Sequence, residues 1–113
     1  MTPFTTIRDR ASFVRLSSGN RFVVSCFILL YAPNPEKSQK ECRVGYTATK
    51  KLGGAVVRNR IKRRLREAVR QVVPVHGKTG YDYVFIARSK VSTCDFSELV
   101  REMEFAFSRI KGK

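Results

Sequence analysis

The side chains best suited to act on a partner lie in one run. From Lys50 to Arg70 the chain reads KKLGGAVVRNRIKRRLREAVR, and Glu67 is the only acid in it. Val57, Ile61, Leu65, Ala68 and Val72 recur at steps of three and four, which predicts an amphipathic helix over residues 56–73. At about 100° per residue, Asn59, Arg63, Arg66 and Arg70 gather opposite that apolar stripe. Arg60 and Arg64 flank them on one side, Arg58 and Lys62 on the other. Guanidinium groups recognise phosphate through paired hydrogen bonds. The polarity of the helix adds to this. A helix N-terminus carries partial positive charge and favours acids, yet the first turns here hold Arg58, Arg60, Lys62 and Arg63. A bound phosphate would turn that unfavourable placement into an attractive one. A merely solvated charged face is the plainer alternative, and the near absence of compensating acids weighs against it.

Other chemistry is poorly provided for. A metal-dependent nuclease needs clustered carboxylates. Here Asp9, Glu36, Glu41, Glu67 and Asp82 are scattered, while Asp95, Glu98, Glu102 and Glu104 fall in the final segment. Glu98 and Glu102 share a helix face, but capping and solvation account for them more simply. His76, the one histidine, sits between a proline-containing stretch and Gly77, as a loop residue would. Cys26, Cys42 and Cys94 are odd in number and form no C-x-x-C, so neither a disulfide framework nor a zinc site is expected. Reduced thiols and a cytoplasmic location are the simplest reading. No catalytic residue and no metal ligand is therefore expected in the chain itself.

These side chains must be held by a folded domain. The 113 residues suit a single domain, and the 42% hydrophobic content is too high for a disordered basic tail. Twenty-three Lys and Arg against nine acids give a formal charge of +14, which an anionic partner would relieve. Nucleic acid is the first candidate and an acidic membrane surface the second. Residues 1–10 are polar, without the apolar stretch of a secretion signal. The longest apolar run, residues 22–32, is too short to span a bilayer, which takes about 20 residues.

Along the chain, residues 1–9 read as a loose basic arm and residues 10–17 as a short helix ended by Ser18-Gly19-Asn20. Residues 21–32 are rich in β-branched and aromatic types and predict two strand pieces broken near Ser25. Residues 33–40 form a polar loop. Residues 43–51 alternate, with Arg43, Gly45, Thr47, Thr49 and Lys51 on one face and Val44, Tyr46 and Ala48 on the other. Pro74 and Gly77 are expected to stop the basic helix. Residues 81–87, YDYVFIA, predict a strand. A last helix carries Phe96, Leu99, Val100, Met103, Phe107 and Ile110 as its apolar stripe, with Asp95 as N-cap and Glu98 as capping-box partner. The order predicts an α+β sandwich with one mixed sheet. Phe13, Tyr31 and Tyr46 are candidates to stack on single-stranded bases beside the basic groove, with ordinary packing the competing role.

The stretch from Arg43 to Ala68, RVGYTATKKLGGAVVRNRIKRRLREA, resembles the bacterial ribonuclease P protein. That family's pattern is R-V-G-x-x-x-x-K-K, a glycine turn, then A-V-x-R-N-R-x-K-R. Weaker similarity runs over residues 8–109. The resemblance implies an α-β-β-β-α-β-α sandwich with one mixed four-stranded sheet, of the type of the second domain of ribosomal protein S5. It also implies a left-handed β-α-β crossover, against the usual right-handed rule. By the same resemblance Lys50, Lys51, Arg58, Asn59, Arg60, Lys62, Arg63, Arg66 and Arg70 would bind the catalytic RNA of ribonuclease P. Phe13, Leu30, Thr47 and Thr49 would line a cleft for the single-stranded 5′ leader of precursor tRNA. The RNA, with Mg²⁺ bound through it, would hydrolyse the phosphodiester, with one protein per RNA and no membrane involved. Two positions depart from the family. Ser17 stands where a second cleft aromatic often lies, with Leu16 beside it, and Leu30 stands for a cleft tyrosine, with Tyr31 on the opposite face. A ribosomal or RNA-chaperone protein would explain charge and core equally well. The carboxylate layout disfavours a protein-only endonuclease. The shortage of large apolar residues in the basic segment disfavours a membrane-surface helix.

Overall fold

The structure, a computed structural model, describes residues 2–34 and 40–110. The elements in order are β1 (Phe4–Thr6), α1 (Arg10–Ser17), β2 (Asn20–Val23), β3 (Phe27–Pro33), β4 (Cys42–Thr47), α2 (Ala55–His76), β5 (Tyr81–Ala87) and α3 (Phe96–Ile110). The strands form one sheet in the order β1-β4-β5-β3-β2. β1 and β5 run parallel to β4 on its two sides, whereas β3 is antiparallel to both β5 and β2, so the sheet is mixed. β4 and β5 are neighbours joined through α2. The α+β architecture is the expected one, with α1, β2, β3, β5 and α3 close to their expected bounds.

Three segments differ from expectation. The arm over residues 1–9 is not loose in its described part: Phe4, Thr5 and Thr6 pair with Cys42, Arg43 and Val44, giving the sheet a fifth strand. The free edge of β4 supplies the backbone partners, and Ile7, only 3% exposed, anchors the segment in the core. The strand expected over residues 43–51 stops at Thr47. Beyond it the backbone tightens into a 3₁₀ turn at Lys50–Leu52, and Gly53 then takes φ 138°, a conformation that L side chains rarely adopt. The basic helix runs through Pro74 to His76. Pro74 falls in the last turn, its carbonyl accepts the Thr2 N–H at 2.7 Å, and the Gly77 N–H caps Val73 O at 2.7 Å. The loop expected at residues 33–40 lies largely outside the described residues.

Period-two alternation gives the sheet two apolar faces. On one, Phe27, Leu29, Val44 and Phe85 meet Ile61, Leu65, Val69 and Val72 of α2 and Leu99, Met103 and Phe107 of α3. Aromatic edges lock this layer, with Phe27 against Phe85 at 5.2 Å and Tyr83 against Phe107 at 5.0 Å between ring centroids. Among the described residues the other face is covered by α1 and the segment leading into it, through a small core of Ile7, Leu16, Leu30 and Val84. A helix of eight residues is about 12 Å long, about half the length of the seven-residue β3 and β5. The described residues therefore leave part of this face uncovered. At the start of α3, Glu98 turns to Lys90 Nζ at 2.8 Å, so the expected capping-box carboxylate serves an ion pair with the preceding turn.

Candidate nucleic-acid interface

α2 buries Ile61, Leu65, Ala68, Val69, Val72 and Val73. The opposite side presents Asn59, Arg60, Arg63, Arg66 and Arg70 to solvent, while Arg58, Lys62 and Arg64 are half-buried. Val57, the first residue of the expected stripe, is 36% exposed and contributes little to the core. Among the described residues, no carboxylate pairs with Lys50, Lys51, Arg60, Arg63 or Arg66. Arg70 is the exception on the outer face, bonded to Glu67 at 2.8 Å. Arg64 turns inward, donates to the Cys94 carbonyl and lies over the Phe96 ring at 6.0 Å. It therefore acts in packing rather than on the outer face. The N-terminus of α2 begins at Gly54 without a side-chain cap and without an acid in the first turn. The cationic surface and the helix dipole thus reinforce each other.

A cleft of about 460 Å³ lies where α1, β4 and α2 come together, lined by Arg8, Arg10, Phe13, Tyr46, Thr47, Ala48 and Lys62. The structure brings Phe13 and Thr47, expected in the cleft from the resemblance, together with Lys62, expected on the face for the catalytic RNA. Arg8 and Arg10 join them unforeseen. The signal was present in the basic residues flanking Asp9, which the reading of residues 1–9 as a loose arm set aside. Leu30 is a correction: at 7% exposure it lies beneath α1 with Leu16 and Val84, where an apolar side chain at the centre of a covered sheet face belongs. Thr49 lies past the end of β4, exposed at the start of the turn and outside the cleft lining. Tyr31 faces the opposite core, as the alternation required. Tyr46 stacks near Phe85 with centroids 6.4 Å apart, and burial pushes its hydroxyl up to about 12, against the pull of Arg66 and Arg70. It remains a neutral donor at neutral pH.

The floor of the cleft explains Gly45. A Cβ built there would stand 2.8 Å from Phe13 Cζ, so only glycine allows the ring to lie on β4. Gly45→Ala is expected to displace Phe13 and to lower stability by about 1–3 kcal/mol, the usual cost of overpacking. Chemical denaturation and the ring's NMR shifts would register both effects, and an unmoved Phe13 would contradict this packing.

The position of α1 is fixed by a buried carboxylate. Asp82 is 1% exposed on β5 and accepts from Arg43 Nε at 3.0 Å, Arg43 Nη2 at 2.6 Å and Asn34 Nδ2 at 3.0 Å, and also from Arg15 of α1. Arg43 continues to Ser12 Oγ at 2.9 Å, while Asp9 accepts from the Ser12 N–H at 2.8 Å as N-cap of α1. The bond with Asp82 raises the Arg43 pKa, and the bonds from Ser12 lower that of Asp9. The motif arginine Arg43 therefore ties α1 to the sheet. Among the described residues no group of three or more His, Cys, Asp or Glu is arranged to hold a metal ion, and no helix is long and apolar enough to cross a membrane.

Residues 1–111 match the family model described as Ribonuclease P. The chain belongs to the ribonuclease P protein family. The ribonuclease P protein component of Erythrobacter litoralis is 40% identical over 105 residues, covering 93% of this chain and 84% of that one. That of Paramagnetospirillum magneticum is 38% identical over 107 residues, covering 92% and 80%. The Caulobacter vibrioides component is 56% identical over 64 residues, a stretch that spans 57% of this chain and 43% of that relative. The fold agrees with these likenesses. The RNase P protein of Staphylococcus aureus superposes with a TM-score of 0.79 at 28% identity, covering 94% of each chain. The Thermotoga maritima protein gives 0.78 at 29%, covering 95% and 98%.

Proposed function

We propose that this chain is the RNA-binding subunit of a ribonuclease P holoenzyme, an endoribonuclease that removes the 5′ leader of precursor tRNA. The observation that carries the proposal is the outer face of α2, where Arg60, Arg63 and Arg66 stand exposed without an acidic partner among the described residues. These side chains, with Lys50, Lys51, Arg58, Asn59, Lys62 and Arg70, grip phosphates of the catalytic RNA. The cleft holds the leader: Phe13 stacks on a base, Thr47 offers a hydroxyl, and Arg8, Arg10 and Lys62 neutralise its phosphates. The RNA and the Mg²⁺ it binds carry out the hydrolysis, leaving a 5′ phosphate on the tRNA. The protein positions the substrate and screens repulsion between two polyanions. One protein per RNA, acting in the cytoplasm, is the simplest assembly.

Reconstitution tests this. With the host's catalytic RNA and precursor tRNA at low Mg²⁺, cleavage is expected to need both macromolecules. Cleavage by the protein without RNA would overturn the assignment of the chemistry to the RNA. The cleft has its own test. Phe13→Leu keeps an apolar contact with β4 but loses the ring, and is expected to weaken binding of precursor by about 5- to 150-fold, from about 1–3 kcal/mol per stacked base. Mature tRNA, which lacks the leader, should bind as before. Equal losses for both would remove Phe13 from leader recognition.

A further inference from the structure

Two cysteines far apart in sequence meet on the side of the sheet that carries α2 and α3. Cys26, buried in the bend between β2 and β3, donates its thiol proton to Cys94 Sγ across 3.7 Å. Cys94 lies just before α3 and is partly exposed. Cys42 is also buried, but the strand register places it at the other end of the sheet, beside the row of Ala32, Asp82 and Arg43, whereas Cys26 adjoins the row of Phe27 and Ala87. We propose that Cys26 and Cys94 are a redox-active dithiol that closes to an intramolecular disulfide when the chain meets a hydroperoxide.

The surroundings assign the two sulfurs different parts. Cys94 is the more exposed of the two residues, and Arg64 Nη2 lies 4.0 Å from its sulfur. A cation beside the sulfur of a partly exposed cysteine is an arrangement that reactive thiols share. Burial, then the neighbouring Cys94, pushes the Cys26 thiol up to about 12, so it keeps its proton and waits as the resolving group. In the first step the Cys94 sulfur gives up its proton and attacks one peroxide oxygen. The O–O bond breaks, Cys94 becomes a sulfenic acid, and the displaced hydroxide takes up a proton to leave as water. In the second, Cys26 loses its proton, its sulfur attacks Cys94 and displaces hydroxide, which leaves as a second water. Two electrons pass from the sulfurs to the peroxide. The sulfurs must close from 3.7 Å to a bond of about 2.05 Å. Backbone bonds hold both residues where they are: Cys26 N–H to Glu102 at 3.0 Å, and Cys94 N–H to Lys90 O at 2.9 Å. Capture as a disulfide would also spare Cys94 from irreversible oxidation.

The test uses the full chain. It is treated with equimolar hydrogen peroxide, unfolded, alkylated and examined by intact mass and peptide mapping. The expected product has lost two hydrogens, carries a Cys26–Cys94 linked peptide and retains one alkylatable thiol, Cys42. Its thermal midpoint is expected to rise, because the link closes a long loop in the unfolded chain, and dithiothreitol should reverse both changes. Cys42→Ser should behave the same, and Cys94→Ser should give no link. Sulfinic acid on Cys94 with Cys26 still alkylatable, or a link through Cys42, would overturn the proposal.

Discussion

Replacing Arg60, Arg63 and Arg66 together by alanine is expected to weaken binding to the catalytic RNA by roughly 100-fold or more at about 0.1 M monovalent salt, while leaving the fold intact. Each phosphate contact releases condensed counterions and contributes about 0.7–0.9 to the slope of log K against log salt. Loss of three contacts should flatten that slope by about two to three units. Stability should change little, because the three side chains are exposed on α2 and make no ion pair among the described residues. Relief of mutual repulsion among the arginines cannot mimic this result, since it would strengthen the fold without altering the salt slope. Glu67→Ala serves as the opposite control. It frees Arg70 from its 2.8 Å partner and removes the only acid between Lys50 and Arg70, so RNA affinity should rise slightly. An unchanged affinity and slope in the triple variant would show that the outer face of α2 is only a solvated surface.

Asp82→Ala is expected to be among the most destabilising single changes in the molecule, at about 3–5 kcal/mol. The magnitude follows from what is left behind. Arg43, whose side chain is 14% exposed, would lose its two close bonds, and Arg15 and Asn34 would lose theirs. Breaking one half of a buried ion pair costs far more than deleting an exposed pair such as Arg70–Glu67, which is worth about 1 kcal/mol or less. Urea denaturation would show a midpoint lowered by about 1–5 M, given usual slopes for small domains. The same variant should loosen α1 and with it Phe13, so leader recognition should fall before RNA assembly does. A shift of only a few tenths of a molar would mean that the cluster adds little beyond surface charge.

The parts of this fold that alternate or repeat cleanly could be read from the sequence. YDYVFIA announced β5, the steps from Ile61 to Val72 announced α2, and the leucine, methionine and phenylalanine stripe announced α3. Pairing could not be read in the same way. Phe4–Thr6 has too little pattern to mark a strand, and it becomes one because β4 offers an edge and Ile7 a buried anchor. Thr49 and Lys51 keep the alternation of β4 on paper, but the turn that opens the way to α2 ends the strand first. The basic face was legible because charge without counter-charge is a property of composition. The cleft was legible only in part, since Leu30 and Phe13 differ in what covers them, and a short helix decides that. The role of Asp82 is hidden in the sequence for a related reason. An acid inside an apolar strand signals a buried partner, but Arg15, Arg43 and Asn34 are 67, 39 and 48 residues away.

The claim on which the rest depends is that the arginine face of α2, and not the α3 side, meets the catalytic RNA. Single cysteines at Arg63 and at Arg101, placed in a Cys94→Ser background and tagged with an iron chelate, test it by local hydroxyl-radical cleavage in the reconstituted complex. Both changes remove one positive charge, from α2 and from the exposed side of α3 respectively. The expected result is a confined set of cuts in the catalytic RNA from position 63 and none above background from position 101. Cuts from position 101 alone would place the RNA on the wrong side of the molecule and contradict the account.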